Sequence, residues 1–344
     1  MTPYDDLPPT AFWRTAVALH SPLSIGELWH PKWPINPDAV FATAGSCFAQ
    51  HIGLTLRERG FRWLHTEPSP SRLPKDMRQR FGYDLFSFRT GNIYTARQLL
   101  QWLKWSIAEE CPPEEIWHYD GQFFDPFRPS IEQGGFASEN EVLWSRASLL
   151  KAMRDGLAHT DVFIFTLGLT ECWRNRRDGY EYHICPGVIA GSFSPEEHVF
   201  HNQNYEEIAS DLDACFDLLK IANPNIKTIL TVSPVPLTAT ASGQHALIAT
   251  SYSKSTLRSA VGDLVTKQPD CDYFPSYEIV GSFPFRGIFF EPNLRNVSRA
   301  GVDFVMGHLF SKIAQPHAVL PTECQPEVND PLCDDAALEN FAKL

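Results

Sequence analysis

No two cysteines in this chain form a Cys-x-x-Cys pair, and the eight present (Cys47, Cys111, Cys172, Cys185, Cys215, Cys271, Cys324 and Cys333) follow no framework spacing. This argues against a disulfide scaffold or a cysteine zinc site and suits free thiols in a reducing compartment. His183 with Cys185, and His198 with His201, are close pairs, but no second pair of matching spacing completes a set, so no metal is expected. Phosphate-loop and dinucleotide fingerprints are missing as well, and no cofactor is implied. No hydrophobic run reaches the length of a membrane span. The early run around Ala16 to Leu19 is too short for a secretory core, and Asp5 and Asp6 stand where such a signal carries Lys or Arg. The expectation is a cytoplasmic protein without a membrane span. Positive charge is also scarce: Lys and Arg number 29 against 41 Asp and Glu, for a formal net charge of -12. That balance repels a phosphate backbone, so nucleic acid is not an expected partner.

Apolar mass is abundant. Of 344 residues, 43% are hydrophobic and 12% aromatic, enough for one large domain or two ordinary ones. Residues 1–38 are rich in proline and tryptophan without a steady period, and read as an irregular lead-in that packs on a later surface. Strand-like and helix-like segments then alternate. Ala39–Ala44, Asp161–Leu167 and Lys227–Val232 are short apolar runs of buried-strand type. Helical patterns follow Ser46 and cover Ser145–His159, Tyr205–Ile221, Ser251–Val265 and Ser298–Ile313, with Asp272–Ile279 extended. Near-continuous apolar strands separated by helices predict a parallel sheet covered on both faces, a three-layer α/β/α fold. Residues 1–315 are assigned to one domain. Within it, 61–144 form an aromatic-rich elaboration with one helix over Ala96–Glu109. Residues 316–344 carry six acids, one lysine and several prolines, and read as a weakly ordered or surface-wrapping acidic tail.

Ligands of an open parallel sheet meet the carboxyl ends of its strands. Three such ends are legible, at Ala44-Gly45-Ser46, Leu167-Gly168-Leu169-Thr170-Glu171 and Val232-Ser233-Pro234. Gly and Ser end strands for ordinary reasons, yet three consecutive core strands ending so predict a shared polar cleft. Ser46 sits between a strand and a helix, near backbone N–H groups and the positive end of the helix dipole. Two roles are open to it there, an N-cap or a nucleophile. Cys47 is intrinsically more nucleophilic, but one step into the helix it is expected to turn inward as a small buried hydrophobe.

The run Thr43-Ala44-Gly45-Ser46-Cys47-Phe48-Ala49, with Gly53 and Gly60-Phe61 behind it, resembles the signature of the GSCFA family, a branch of the SGNH/GDSL-type hydrolases. Thr166–Glu171 with Trp173, Thr231–Val235, Ser253–Leu257 and Tyr273–Ile279 add to the resemblance, which spans roughly residues 40–313. It implies an SGNH-hydrolase-like fold with Ser46 at the nucleophile position. Gly168 and Thr170 fall where SGNH enzymes place a Gly-x-Asn oxyanion element, threonine replacing asparagine and leaving one donor instead of two. Gly91 and Asn92 are assigned to the same oxyanion hole, together with the Ser46 N–H.

The usual base is missing. SGNH enzymes carry Asp-x-x-His before the last helix, and this chain has Phe290-Glu291-Pro292-Asn293-Leu294-Arg295-Asn296 there. His245, in the loop after Ser233-Pro234, is the substitute assigned as base, with Glu291 as an orienting acid; His308 and His183 are less attractive. The implied function is serine-dependent hydrolysis or transfer of a small acyl group, such as acetyl on a carbohydrate hydroxyl, with a small-molecule or glycan ester as partner. The alternative is a non-catalytic binding or assembly protein that keeps the cleft without the base.

Overall fold

The computed structural model describes residues 2–313 and 333–342. Strand β1 (Val40–Gly45) leads into helix α1 (Cys47–Glu58) and the short β2 (Arg62–Trp63). Helices α2 (Lys75–Arg80) and α3 (Ala96–Ser106) and the hairpin β3 (Trp117–Tyr119) and β4 (Gln122–Phe124) follow. Then come α4 (Glu139–Ala158), β5 (Val162–Leu167), β6 (Glu171–Asn175), β7 (His198–Asn202) and α5 (Tyr205–Ala222). The chain continues through β8 (Lys227–Val232), α6 (Ala246–Lys267), β9 (Cys271–Tyr273), α7 (Ser276–Gly281) and α8 (Arg299–Phe310). Five strands form one parallel sheet in the order β2-β1-β5-β8-β9.

Side chains alternate across this sheet, so each strand feeds two cores. Ala42, Ala44, Phe163, Phe165, Leu167 and Leu230 face α3, α4, α5 and α6. Phe41, Val162, Ile164 and Ile229 face α1, α7 and α8. The expected three-layer α/β/α architecture is therefore present. Ile25, Trp29 and Ile35 of the lead-in are buried in the second core, with Trp29 edge-on to Phe274.

Local chemistry moved several element boundaries. Helix α4 starts at Glu139 instead of Ser145 because Ser138 caps it, its hydroxyl accepting from the Glu141 N–H at 3.3 Å. Helix α3 stops at Ser106, short of Glu109, whose φ of 56° no right-handed helix accommodates. The stretch expected to be extended over Asp272–Ile279 is strand only to Tyr273; Pro275 has no N–H for a ladder, and α7 begins behind it. Within the elaboration, α3 packs in the main helical layer, while Asp125, buried between Arg128 and Arg146, ties the loop after β4 to α4. Of the stretch read as a tail, 316–332 and 343–344 lie outside the described residues. Asp334–Phe341 form 3-10 turns that return to the body of the domain.

Candidate functional site

The register of the sheet brings the three strand ends side by side. Gly45 pairs with Thr166 and Leu167 with Val232, so Ser46, Gly168 and Ser233 emerge together. Between β1 and α1 the backbone turns sharply at Gly45, whose φ is 135°. A Cβ on Gly45 would lie 2.3 Å from the Thr166 carbonyl oxygen, so only glycine fits this close approach. Ser46 then occupies the N-cap position of α1, yet its hydroxyl makes no capping bond. It is 2% exposed, and Ser46 Oγ has no hydrogen-bond partner among the described residues. Leaving a buried hydroxyl unpaired costs about 1–3 kcal/mol. The serine is therefore held in its turn by the backbone, with its oxygen uncommitted.

Two donors assigned to an oxyanion hole are used elsewhere. The Ser46 N–H continues the sheet ladder to the Thr166 carbonyl at 3.0 Å, which removes it from the expected role. Thr170 donates its hydroxyl to Asn202 Oδ1 at 2.6 Å and its N–H to Ser253 Oγ at 3.0 Å. Gly168 lies against Ser46: a Cβ there would stand 3.1 Å from Ser46 Cβ, and its N–H goes to the Tyr94 carbonyl. Gly91 takes a φ of 71°, turning the chain so that Asn92 reaches α1. Asn92 accepts from Gln50 Nε2 at 3.1 Å, one turn beyond Ser46, and donates to Asp334 Oδ2 at 2.7 Å. Neither His245 nor Glu291 is hydrogen-bonded to the serine. His245 is exposed and caps α6, its Nδ1 accepting the Leu247 N–H at 3.1 Å. Glu291 is exposed on the turn that its own backbone closes with Asn296. Cys47 points inward as expected, 4% exposed.

Charged groups that the sequence patterns do not mark surround the cleft. Arg295 stands in the segment where Asp-x-x-His would fall, and its Nη2 donates to Asp335 Oδ2 at 2.7 Å. Asp334, read as part of an acidic tail, is buried and also bonds His183 Nε2 at 2.8 Å. Burial alone raises the Asp334 carboxyl, but the His183 charge and hydrogen bonds from His183, Ser130 and Asn92 outweigh it and hold it below the usual range. Cys333, just before it, is hydrogen-bonded to the Cys47 thiol. Lys254 is 1% exposed on the first half of α6 and donates to the Gly168 carbonyl. In the sequence, its one signal is its place in Ser253-Lys254-Ser255. No cluster of three or more potential metal ligands occurs among the described residues.

With that geometry in place, a family model described as the GSCFA family matches residues 40–309. The chain belongs to the GSCFA family. No curated protein matches it. Among solved structures it is similar to a carbohydrate esterase family 3 protein from Talaromyces cellulolyticus, at 10% identity and a TM-score of 0.39, over 80% of this chain and 95% of that one. It is also similar to a family 3 carbohydrate esterase of Clostridium thermocellum, at 10% identity and a TM-score of 0.36, over 80% and 94% of the two chains. An acetyl esterase with a bound acetate ion is a further neighbour, at 11% identity and a TM-score of 0.34, over 80% and 95%.

In this GSCFA chain a cavity of about 450 Å³ opens beside the cleft. Tyr94 and Leu169, which flank Gly168 in space and in sequence, form its inner wall. Trp173, Tyr182, Phe193 and Phe200 supply aromatic walls, and Leu338 and Phe341 of the C-terminal segment close one side. Glu171 and Asp335 bring carboxylates to its lining; burial raises the Glu171 pKa, against a hydrogen bond from Thr240 and another from the Ala241 N–H. No helix among the described residues is long and apolar enough to cross a membrane.

Proposed function

We propose that this protein is a serine-dependent esterase in which Ser46 attacks the acyl carbon of a small ester. One observation carries this reading. Ser46 holds an N-cap position, where serine ordinarily spends its hydroxyl on the helix, and its Oγ is instead unpaired at the carboxyl end of the central sheet. A strained turn that only Gly45 permits, and a glycine beside the serine at Gly168, are what close approach of a carbonyl substrate requires. In this reading Asn92 supplies the side-chain amide that holds the oxyanion once its bond to Asp334 is given up. The neighbouring cavity receives one half of the ester, its aromatic walls suiting an apolar group or a sugar face. Hydrolysis and transfer to an acceptor hydroxyl share this acyl-enzyme step and differ in what attacks it second.

The test is turnover of a panel of nitrophenyl esters from acetate to octanoate, with and without model acetylated sugars. Activity lost in Ser46→Ala and retained in Cys47→Ala supports the reading; the reverse pattern moves the nucleophile to Cys47. A second reading, a non-catalytic binding protein, is favoured by one feature. The cleft is occupied by its own C-terminal segment, with Asp334 on Asn92 and Arg295 in the segment where SGNH enzymes carry Asp-x-x-His. An unmutated protein inactive on the whole panel supports that reading.

A further inference from the structure

We infer that Lys254 is the general base for Ser46, supplying the proton acceptor that the absent Asp-x-x-His leaves open. This inference rests on the serine-esterase reading and adds its missing catalytic residue.

The geometry begins with α6. Ser253 and Lys254 dock together on the turn after β5: Ser253 Oγ accepts the Thr170 N–H, and Lys254 Nζ donates to the Gly168 carbonyl. Gly168 is also the residue packed against Ser46 Cβ. Gly168 therefore touches both groups: its carbonyl takes the lysine nitrogen and its α-carbon packs against the serine. Neither His245, exposed on its helix cap, nor Glu291, exposed on its turn, has such a position.

The chemistry of a buried lysine points the same way. An ammonium carries three donors, and among the described residues Lys254 has one acceptor, the Gly168 carbonyl. Burying a charge with so little compensation is costly, and the group sheds its proton instead. Burial pushes Lys254 down to about 7; the nearby Cys47 and Asp335 work to raise it and Arg295 to lower it. A neutral amine donates one N–H to Gly168 and keeps a lone pair for the Ser46 proton. A methionine would fill the same space more cheaply, so the amine needs a reason beyond packing.

The reaction balances without any further reagent. Lys254 Nζ accepts the Ser46 Oγ–H proton as Oγ bonds to the acyl carbon and the carbonyl electron pair moves onto oxygen. When that pair returns, the alkoxide leaves with a proton from Nζ and the acyl-enzyme remains. Water then bonds to the acyl carbon, giving its proton to Nζ, and Ser46 Oγ leaves and takes that proton back. Rotation of the long Lys254 side chain carries Nζ between the Gly168 carbonyl and the serine oxygen.

The experiment is the rate of Ser46 labelling by a fluorophosphonate, which forms a P–O bond to serine and expels fluoride, measured against pH on the full chain. In the unmutated protein, labelling mapped to Ser46 by peptide mass spectrometry should rise tenfold per pH unit and level off above about 7. Lys254→Met and Lys254→Gln should label at least about a hundredfold more slowly, the lower range of general-base assistance. Lys254→Arg should not rescue, because a guanidinium does not release its proton. With lysine labelled at ¹³Cε, one resonance should titrate near pH 7, a readout that needs no variant to fold. Lys254→Met labelling within threefold of normal, full rescue by arginine, or every lysine titrating near its ordinary value would each overturn the inference while the serine-esterase reading stands. Absence of Ser46 labelling in the unmutated protein overturns that reading and this inference with it.

Discussion

Asn92 Nδ2 donates to Asp334 Oδ2 at 2.7 Å, joining two residues 242 positions apart and placing a carboxylate on the amide proposed to hold the oxyanion. The same oxygen bonds His183 Nε2, and the next residue, Asp335, is anchored by Arg295 and Thr238. The C-terminal segment is thus fastened across the cleft by charge-assisted hydrogen bonds, which are individually stronger than neutral ones.

Removing that fastening should open the serine. Asp334→Ala deletes the bonds to Asn92 and His183, a loss on the order of 2–4 kcal/mol of local docking. Because the docked segment is a short run of 3-10 turns, the cost falls on local opening more than on global unfolding. Amides of Asp334–Phe341 and of the first turn of α1 should then exchange faster, by about tenfold for each 1.4 kcal/mol lost. Unchanged exchange at both places would refute a docked segment. Acid acts in the same direction. The Asp334 carboxyl is depressed in the folded protein, so its contribution is present above the ordinary carboxylate range and is lost as pH falls through the lower folded value.

The sheet was legible from sequence because buried parallel strands write themselves as unbroken apolar runs; Lys227–Val232 was located to the residue. Ser46 was legible because Gly45 and the helix behind it frame the turn locally. The rest of the site depends on contacts between distant segments. Asp334 and Asp335 look like tail acids until the chain returns to meet Asn92 and Arg295. Lys254 looks like one more polar residue of an amphipathic helix until the turn at Gly168 buries it. His245 shows the opposite case: a loop histidine beyond a strand end is also a ready helix cap, and here its side chain caps its own helix.

Gly45→Ala tests the turn itself. A left-handed backbone with φ of 135° strains any other residue, and the new methyl group would meet the Thr166 carbonyl oxygen at 2.3 Å. Strain of this kind costs about 1–3 kcal/mol before the clash is added. Urea unfolding should show a loss of at least about 3 kcal/mol. A loss below about 1 kcal/mol would mean that the turn relaxes and does not constrain Ser46.

Ser46→Ala separates function from stability at one atom. The serine hydroxyl is buried with no partner, so its removal relieves an unsatisfied group instead of breaking a bond. The variant should unfold at the same temperature or higher, with a gain of up to about 1 kcal/mol, while ester turnover is abolished. A clear drop in unfolding temperature would show that the hydroxyl caps α1 after all.

Lys254→Met should stabilise the protein, and the gain should depend on pH in a fixed sense. In the folded chain Lys254 loses its proton near 7, against 10.5 for an ordinary lysine. Between those values the unfolded state binds one proton more than the folded state, so stability rises with pH across that window. Below about 7 both states are charged and the full cost of the buried ammonium is felt; above 10.5 both are neutral and it vanishes. The gap corresponds to roughly 4–5 kcal/mol at about 1.4 kcal/mol per pH unit. Methionine carries no charge to bury, so it should outstabilise the native residue by several kcal/mol at pH 6 and by progressively less towards pH 10. Urea unfolding of both proteins across that range measures the difference directly. A difference that does not vary with pH would mean that Lys254 keeps its proton in the fold, and an amine that stays charged has no lone pair to offer Ser46.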